Sequence, residues 1–305
     1  MRIISKAKEI GFCYGVKNAI KIAKNAAESK NTKRPIYLLG NLVHNHHVNS
    51  FLENIGIIIL NGSSRLEMLD QIDSGTVIFT AHGVSPKVYE KAKNKGLDII
   101  DATCPYVEAT FKLMKEKVDN GYNVIFIGKK DHPETESAIA LSNNVHVYKK
   151  DLIINSNKLC LCHQTTMSFY DVSEAYTDLI SKFPHIETLD MICKVTEKRQ
   201  NEIRNLNNYN FNNPALIIII GDKTSNNSTK LFEMAKRLNK TDALFIDNIS
   251  ELNFLELKKY NEIFIGSGTS TPMAITNELY ELLLNLDNIN VQHINSSLEL
   301  QDFLK

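Results

Sequence analysis

Three of the five cysteines stand where a strand-like run gives way to a helical pattern: Cys13 in "EIGFCYGVKNAI", Cys104 in "DATCPYVEAT" and Cys193 in "LDMICKVTEKRQ". They are separated by 91 and 89 residues. Pro105 follows Cys104, and proline suits the first helical turn, where its missing N–H leaves nothing unsatisfied. A thiol at a helix start is held toward thiolate, the form that binds metal. A single cysteine after an apolar strand is ordinarily a small buried hydrophobe, but three at matching points of a repeat call for a common role. A structural zinc site asks for four protein ligands. Three thiolates with one open position suit an iron–sulfur cluster in which one iron is free of cysteine and can take a substrate oxygen. Cys160 and Cys162 lie two apart in "KLCLC", share one face of a strand, have no counterparts elsewhere and read as packing.

Polar residues recur on the same schedule. About 25 residues after each cysteine a strand ends at glycine and opens into a loop: "LLGNLVHN", "FIGKKDHPE" and "IIGDKTSNNS". Further on come "FTAHGVS", "LCHQTTMS" and "IGSGTSTP". His44, His82 and His132 fall in these loops and point to an anion site, whereas His46, His47, His146, His163, His185 and His293 have no such placement and read as structural. In "GDKTSNNSTKLF" and "GSGTSTPMAIT", glycine followed by small hydroxyl and amide side chains at a helix start can cradle phosphate without a lysine. Capping of the next helix is the plainer use of the same residues. Neither stretch has the spacing of a P-loop or a dinucleotide fingerprint. Glu134 follows His132 through the stiff Pro133, and a carboxyl enclosed beside a metal centre is a candidate proton donor, although the same residue also suits an ordinary helix start. Thr165 and Thr166 could bond a substrate hydroxyl or cap a helix.

The elements that must position these residues are short apolar runs alternating with amphipathic stretches such as "PYVEATFKLMKEKVDNG" and "KVYEKAKNKG". Continuous apolar strands separated by helices predict an α/β fold with mostly parallel sheets covered on both faces. The repeat predicts three lobes: residues 1–97 with the N-terminal strand, 98–187 and 188–286, followed by a tail over 287–305. Its period exceeds that of solenoid arrays, so the expected body is closed, with lobes related by a pseudo-threefold axis. Ligands of open parallel sheets bind at the carboxyl ends of strands, so the thiols and polar loops are expected to meet there around the cluster.

Thirty-five basic and thirty-five acidic side chains cancel in the 305 residues, so no global field recruits nucleic acid or an anionic membrane. The first fifteen residues lack the apolar stretch of a secretory leader, and "ALIIIIG" is far shorter than the roughly 20 residues of a spanning helix. A soluble, cytoplasmic protein is expected, and in that reducing setting cysteines serve metals or redox chemistry more often than bridges.

Taken together, "GFCYGVKNAI", "VHN", "AHGVS", "DATCPYV", "HPE", "QTTMS", "IC…T…RQ", "GDKTSNNS" and "GSGTSTP" resemble the 4-hydroxy-3-methylbut-2-enyl diphosphate reductase family, from about residue 10 to about residue 280. The resemblance implies a three-lobed fold around a [4Fe-4S] cluster held by Cys13, Cys104 and Cys193, its fourth iron open to the substrate hydroxyl. It implies that His44, His82 and His132 line the site and that Ser225, Asn226, Asn227 and Ser270 hold the diphosphate. Thr165 and the acid Glu134 would manage the hydroxyl and its proton. The implied reaction is a two-electron reductive dehydroxylation giving isopentenyl and dimethylallyl diphosphates, the last step of the non-mevalonate isoprenoid pathway. Ferredoxin or flavodoxin would deliver the electrons.

The sequence departs from the family pattern at Asn226 in the third lobe's serine pair, at His163 before the Gln-Thr-Thr run, at Asp131 before His132 and at Met273 after Pro272. None is an implied cluster ligand or the implied acid. The competing enzymatic expectation is an iron–sulfur hydro-lyase or quinolinate-synthase-like enzyme, also built from pseudo-threefold lobes on three cysteines. A non-catalytic cluster-based redox sensor or a structural zinc protein would need no buried acid.

Overall fold

The protein is described by a computed structural model over residues 2–189 and 193–287. In chain order the strands are β1 (Ile3–Lys6), β2 (Ile36–Leu38), β3 (Ile57–Ile59), β4 (Thr76–Phe79), β5 (Asp98–Asp101) and β6 (Asn123–Ile127). They continue with β7 (Val145–Val147), β8 (Leu159–His163), β9 (Glu187–Thr188), β10 (Ala215–Ile220), β11 (Asp242–Ile246) and β12 (Glu262–Ser267). Among the described residues they form three four-stranded sheets, ordered β3-β2-β4-β5, β7-β6-β8-β9 and β11-β10-β12-β1. Every pairing is parallel. The expected α/β fold with three lobes is thus present.

The cores follow from the strand sequences. Each residue of β4, β8, β10 and β12 is buried, as a parallel strand covered on both faces requires. Alternate residues of β10 face opposite ways, and Leu216, Ile218 and Ile220 pack with Ile263, Ile265, Leu279 and Leu283. On the second sheet, Leu159 and Leu161 join Ile125 and Leu179 on one face, while Cys160 and Cys162 join Val124, Phe126 and Met114 on the other. On the first, Val77 and Phe79 pack with Leu69 and Val88. Truncating one of the fully buried isoleucines to alanine should cost about 2–5 kcal/mol. The edges are polar by contrast: Asp98 and Asp101 of β5 and both residues of β9 are exposed, which discourages pairing with another chain.

The sheets redraw the expected lobe boundaries. The N-terminal strand, assigned from sequence to residues 1–97, pairs through Ile3–Lys6 with Glu262–Ile265 and completes the third sheet. The strand at 98–101, assigned to 98–187, pairs with β4 and closes the first. The physical reason is that the strand leading into each cysteine is the outer strand of the preceding repeat's sheet. β5 leads to Cys104, β9 to Cys193 and β1 to Cys13. Apart from Asp287, the expected tail over 287–305 lies outside the described residues.

The chain divides into two compact bodies. One holds the residues up to Cys13, His44–His46 and the described residues from Lys194 onward, with the third sheet. The other holds Tyr14–Val43 and residues 47–193, with the first and second sheets. No helix among the described residues is long and apolar enough to cross a membrane.

Candidate active site

In the body of the first two sheets, the loops after β4, β5, β6 and β8 carry predicted residues. The helix Pro105–Asp119 begins at Pro105, and Cys104 is its N-cap, partly exposed, with a side chain that does not cap the helix. The Cys104 N–H donates to the Ala81 carbonyl at 3.0 Å, which ties the cysteine to the residue before His82. Gly83 follows His82 at φ 74°, and a Cβ there would press on Phe111 at 2.9 Å, so the turn needs glycine.

His132 is the N-cap of the helix Pro133–Ile139. Its Nδ1 accepts from the Glu134 N–H at 3.1 Å, which in the neutral ring leaves the proton on Nε2. The His82 and His132 rings meet edge to face with centroids 5.2 Å apart. The Glu134 carboxyl is 1% exposed. The Thr165 N–H donates to its Oε1 at 2.8 Å and the Thr165 hydroxyl to its Oε2 at 2.9 Å. Burial pushes the Glu134 pKa up to about 7, against the opposing pull of the two Thr165 bonds. A carboxyl in this state gives up a proton at neutral pH, as a general acid must.

In the other body, the loop after β10 and the loop after β12 face each other. Ser225 caps the helix Asn226–Lys236, and its hydroxyl accepts from the Ser228 N–H. The Ser270 hydroxyl lies 3.4 Å from Ser225 Oγ and donates to the His44 carbonyl at 3.0 Å. The Cys13 N–H donates to the Thr269 carbonyl at 3.0 Å. Both polar side-chain atoms of Asn227, a residue 2% exposed, lack a hydrogen-bond partner. Buried amides are rarely left so, and an oxyanion ligand with its counter-donors would satisfy this one. Cβ atoms at Gly221 and Gly268 would stand 2.3 and 2.0 Å from Ser228 Oγ, so only glycine lets these backbones close over the helix start.

The structure therefore brings Cys104, His82, His132, Glu134 and Thr165 together in one body. It brings Cys13, His44, Ser225, Asn226, Asn227 and Ser270 together in the other. Cys193, partly exposed, immediately precedes the helix Lys194–Asn205. None of the cysteines is in a disulfide. Thr166 accepts from the Gln164 amide at 2.7 Å, an internal use.

Sequence reasoning missed several supports. Arg199, 3% exposed, donates to the carbonyls of Ser267, Gly268 and Gly11 and so joins the Ser270 loop to the Cys13 loop. The His46 N–H donates to Asp222 at 3.1 Å, and its Nδ1 lies 3.2 Å from Asp247, which anchors the segment carrying His44. Arg65 plays a comparable part in the first body. No local spacing marks such residues; a lone arginine in a polar helix gives no sign of burial.

Cys13, Cys104 and Cys193 are each partly exposed, unbridged and directly before a helix, the thiol chemistry an iron–sulfur group requires. Cys160 and Cys162 are buried, and burial pushes their thiols up, to about 11 at Cys160 and higher at Cys162. A model of the LytB protein family matches residues 4–284. The chain is 44% identical over 299 residues to the 4-hydroxy-3-methylbut-2-enyl diphosphate reductase of Macrococcus caseolyticus, covering 95% of this chain and 92% of that one. It is 43% identical over 290 residues to the enzyme of that name from Lysinibacillus sphaericus, with 93% and 88% covered. Among solved structures, it resembles the E-1-hydroxy-2-methyl-but-2-enyl-4-diphosphate reductase of Plasmodium falciparum with a TM-score of 0.84 at 29% identity, over 99% of this chain and 97% of that one. A second, (E)-4-hydroxy-3-methyl-but-2-enyl diphosphate reductase, gives 0.62 at 28% identity, over 93% and 100%. With the match running through nearly every loop described above, the chain belongs to the LytB family.

Proposed function

We propose that this protein is a 4-hydroxy-3-methylbut-2-enyl diphosphate reductase, which carries out the reductive step that ends the non-mevalonate pathway. The observation that carries the assignment is the Glu134–Thr165 pair: a buried carboxyl, half-protonated near neutrality and held at both oxygens by one threonine. A sensor or a structural metal protein has no use for it. The reaction breaks the allylic C–O bond and forms a C–H bond. It consumes two electrons and two protons, releases one water, and leaves isopentenyl or dimethylallyl diphosphate.

Cys13, Cys104 and Cys193 would hold a [4Fe-4S] cluster, which when bound supplies electrons one at a time and a Lewis-acidic iron. The chain supplies the rest. Asn227, with Ser225, Asn226, Ser270 and the His44 segment, binds the diphosphate, and this remote binding energy orients the hydroxyl end of the substrate. The Thr165 hydroxyl donates to Oε2 of the ionised carboxylate. When Glu134 is protonated at Oε2 that bond reverses: Oε2–H donates to Thr165 Oγ1, and the threonine's own proton turns to the departing oxygen, because hydroxide leaves poorly and water leaves well. The edge-to-face His82 and His132 rings line the approach, and His132 also keeps Glu134 in place through the helix N-terminus. The electron donor is a small carrier such as ferredoxin or flavodoxin, and the enzyme works in the cytoplasm, where thiols stay reduced.

The test is anaerobic reconstituted protein with reduced viologen and the hydroxylated diphosphate. Bleaching of the viologen with formation of the two five-carbon diphosphates is expected. A brown protein that leaves both viologen and substrate unchanged would refute the assignment. Cys193→Ser should lose the visible absorbance, and a variant that stays brown and active would remove Cys193 from the ligand set.

A further inference from the structure

Arg65 opens the short helix Arg65–Asp70 and is 4% exposed, a rare position for a guanidinium. Burial lowers its pKa to about 10, which still leaves it charged at neutral pH. Its carboxylate partner, Glu136 at 3.6 Å, is half-exposed. The remaining bonds go elsewhere. One nitrogen donates to the Pro133 carbonyl at 3.0 Å and to the Ser137 hydroxyl at 3.1 Å. The other donates to the Thr80 hydroxyl at 3.2 Å.

These targets belong to the two segments that carry the acid and its neighbouring rings. Pro133 is the residue between His132 and Glu134, and Ser137 lies one turn further along the same helix. The Ser137 hydroxyl donates in turn to the Gly83 carbonyl at 3.1 Å. Thr80 Oγ1 lies 3.4 Å from His82 Nδ1. The guanidinium thus spans the loop after β4 and the helix start after β6, and it meets each by hydrogen bonds of fixed direction. A planar fork does this where an ammonium on a flexible stem does not.

We propose that Arg65 is a positioning residue for the acid: its buried guanidinium locks the His132–Glu134 turn to the Thr80–Gly83 loop, so that the Glu134 carboxyl stays sealed against Thr165. It touches no reacting atom. The proposal rests on Glu134 serving as the proton donor, and it goes beyond that assignment in naming what holds the donor shut. Without the fork, the Pro133 carbonyl next to Glu134 loses the guanidinium donor and the Thr80 hydroxyl keeps only His82, so the seam is left to water and the enclosure of the neighbouring carboxyl is weakened. Because burial is what raises the Glu134 pKa, the acidity of this one group reports whether the seam is closed.

The experiment compares wild type, Arg65→Met, Arg65→Lys and Ser137→Ala as brown holoenzymes. It reads the infrared band of a protonated carboxylic acid, identified as the band missing from Glu134→Gln, against pH without substrate. Wild type should titrate near pH 7, Arg65→Met a full pH unit or more lower, and Arg65→Lys between them. In viologen turnover, Arg65→Met should lose about tenfold or more in kcat with KM changed less than threefold, and its loss of activity with rising pH should begin earlier. If Arg65→Met fails to fold, Ser137→Ala, which removes one hydroxyl shared by Arg65 and Gly83, should show the same downward shift on a smaller scale. A Glu134 band that titrates unmoved, or higher, in the variants that fold overturns the proposal. A wild type that shows the band yet reduces no substrate overturns the enzymatic assignment instead, and leaves the positioning result standing.

Discussion

Two loops of the molecule share one frame and differ in what they hold. After β6 the chain runs through Gly128 to His132, Glu134 and Thr135; after β10 it runs through Gly221 to Ser225, Asn227 and Ser228. The N-cap falls at the same offset in each, and so does the buried residue that follows it. A Cβ at Gly128 would stand 2.4 Å from Thr135 Oγ1, and one at Gly221 would stand 2.3 Å from Ser228 Oγ. The strand beside each closes it alike: the Gln164 N–H donates to the Ile127 carbonyl at 2.8 Å, and the Gly268 N–H donates to the Ile220 carbonyl at 2.9 Å. Only the side chains set them apart. Glu134 is satisfied internally by Thr165, while Asn227 has two buried polar atoms without partners. One buried group is closed off by protein partners; the other keeps polar atoms that the protein leaves unsatisfied. A single backbone solution carries different buried side chains at its matched positions: His132 against Ser225, Glu134 against Asn227 and Thr135 against Ser228.

The largest effect should come from replacing the buried acid. Glu134→Gln is expected to lower kcat about 10²–10⁴-fold, as loss of a general acid does, with KM and the brown colour nearly unchanged. Steady-state viologen kinetics decide it, and a fall in KM affinity with intact kcat would break the contrast between the loops. Asn227→Ala should instead weaken binding of inorganic diphosphate about 10–100-fold, the range for a hydrogen bond to a charged group. Calorimetry measures this, and unchanged binding would deny the amide its ligand.

Next come the shared glycines. Gly128→Ala and Gly221→Ala should each cost about 1–3 kcal/mol in urea unfolding, with partial relief from Thr135→Ala and Ser228→Ala respectively. Relief in one loop and not the other would mean that the frames are not equivalent. The smallest effect concerns pH. The folded pKa of Glu134, about 7, lies above its unfolded value, so the protein binds this proton more tightly when folded. Its stabilising contribution is therefore full below the unfolded pKa and is lost as pH rises through the folded value of about 7. The melting temperature of Glu134→Gln should accordingly gain a few degrees on wild type between pH 5 and pH 8.

Much of this was legible in the sequence for definite reasons. Buried parallel strands carry continuous apolar runs, so "ALIIII" and "LCLCH" announce themselves. Cys13, Cys104 and Cys193 stand out through repetition, and Glu134 through its place after His132 and Pro133. What stayed hidden depends on partners distant in the chain. The pairing of Ile3–Lys6 with Glu262–Ile265 spans nearly the whole sequence, and no local pattern reports it. Arg65 and Arg199 resemble surface arginines until the carbonyls they bind are known. Thr165 was recognisable as a hydroxyl that could bond a substrate or cap a helix, but the backbone N–H that grips Glu134 Oε1 was not, since every residue but proline has one.

The two cysteines packed inside β8 set the terms for footprinting the other three. Their sulfurs keep their protons well above neutral pH and sit among apolar side chains, so alkylating reagents reach them slowly. Iodoacetamide applied to folded, chelator-treated protein should therefore tag Cys13, Cys104 and Cys193 and spare Cys160 and Cys162. Peptide mass spectrometry of that tag would count chains whose three loop thiols stand unprotected directly in a cell extract, without purification and without an assay.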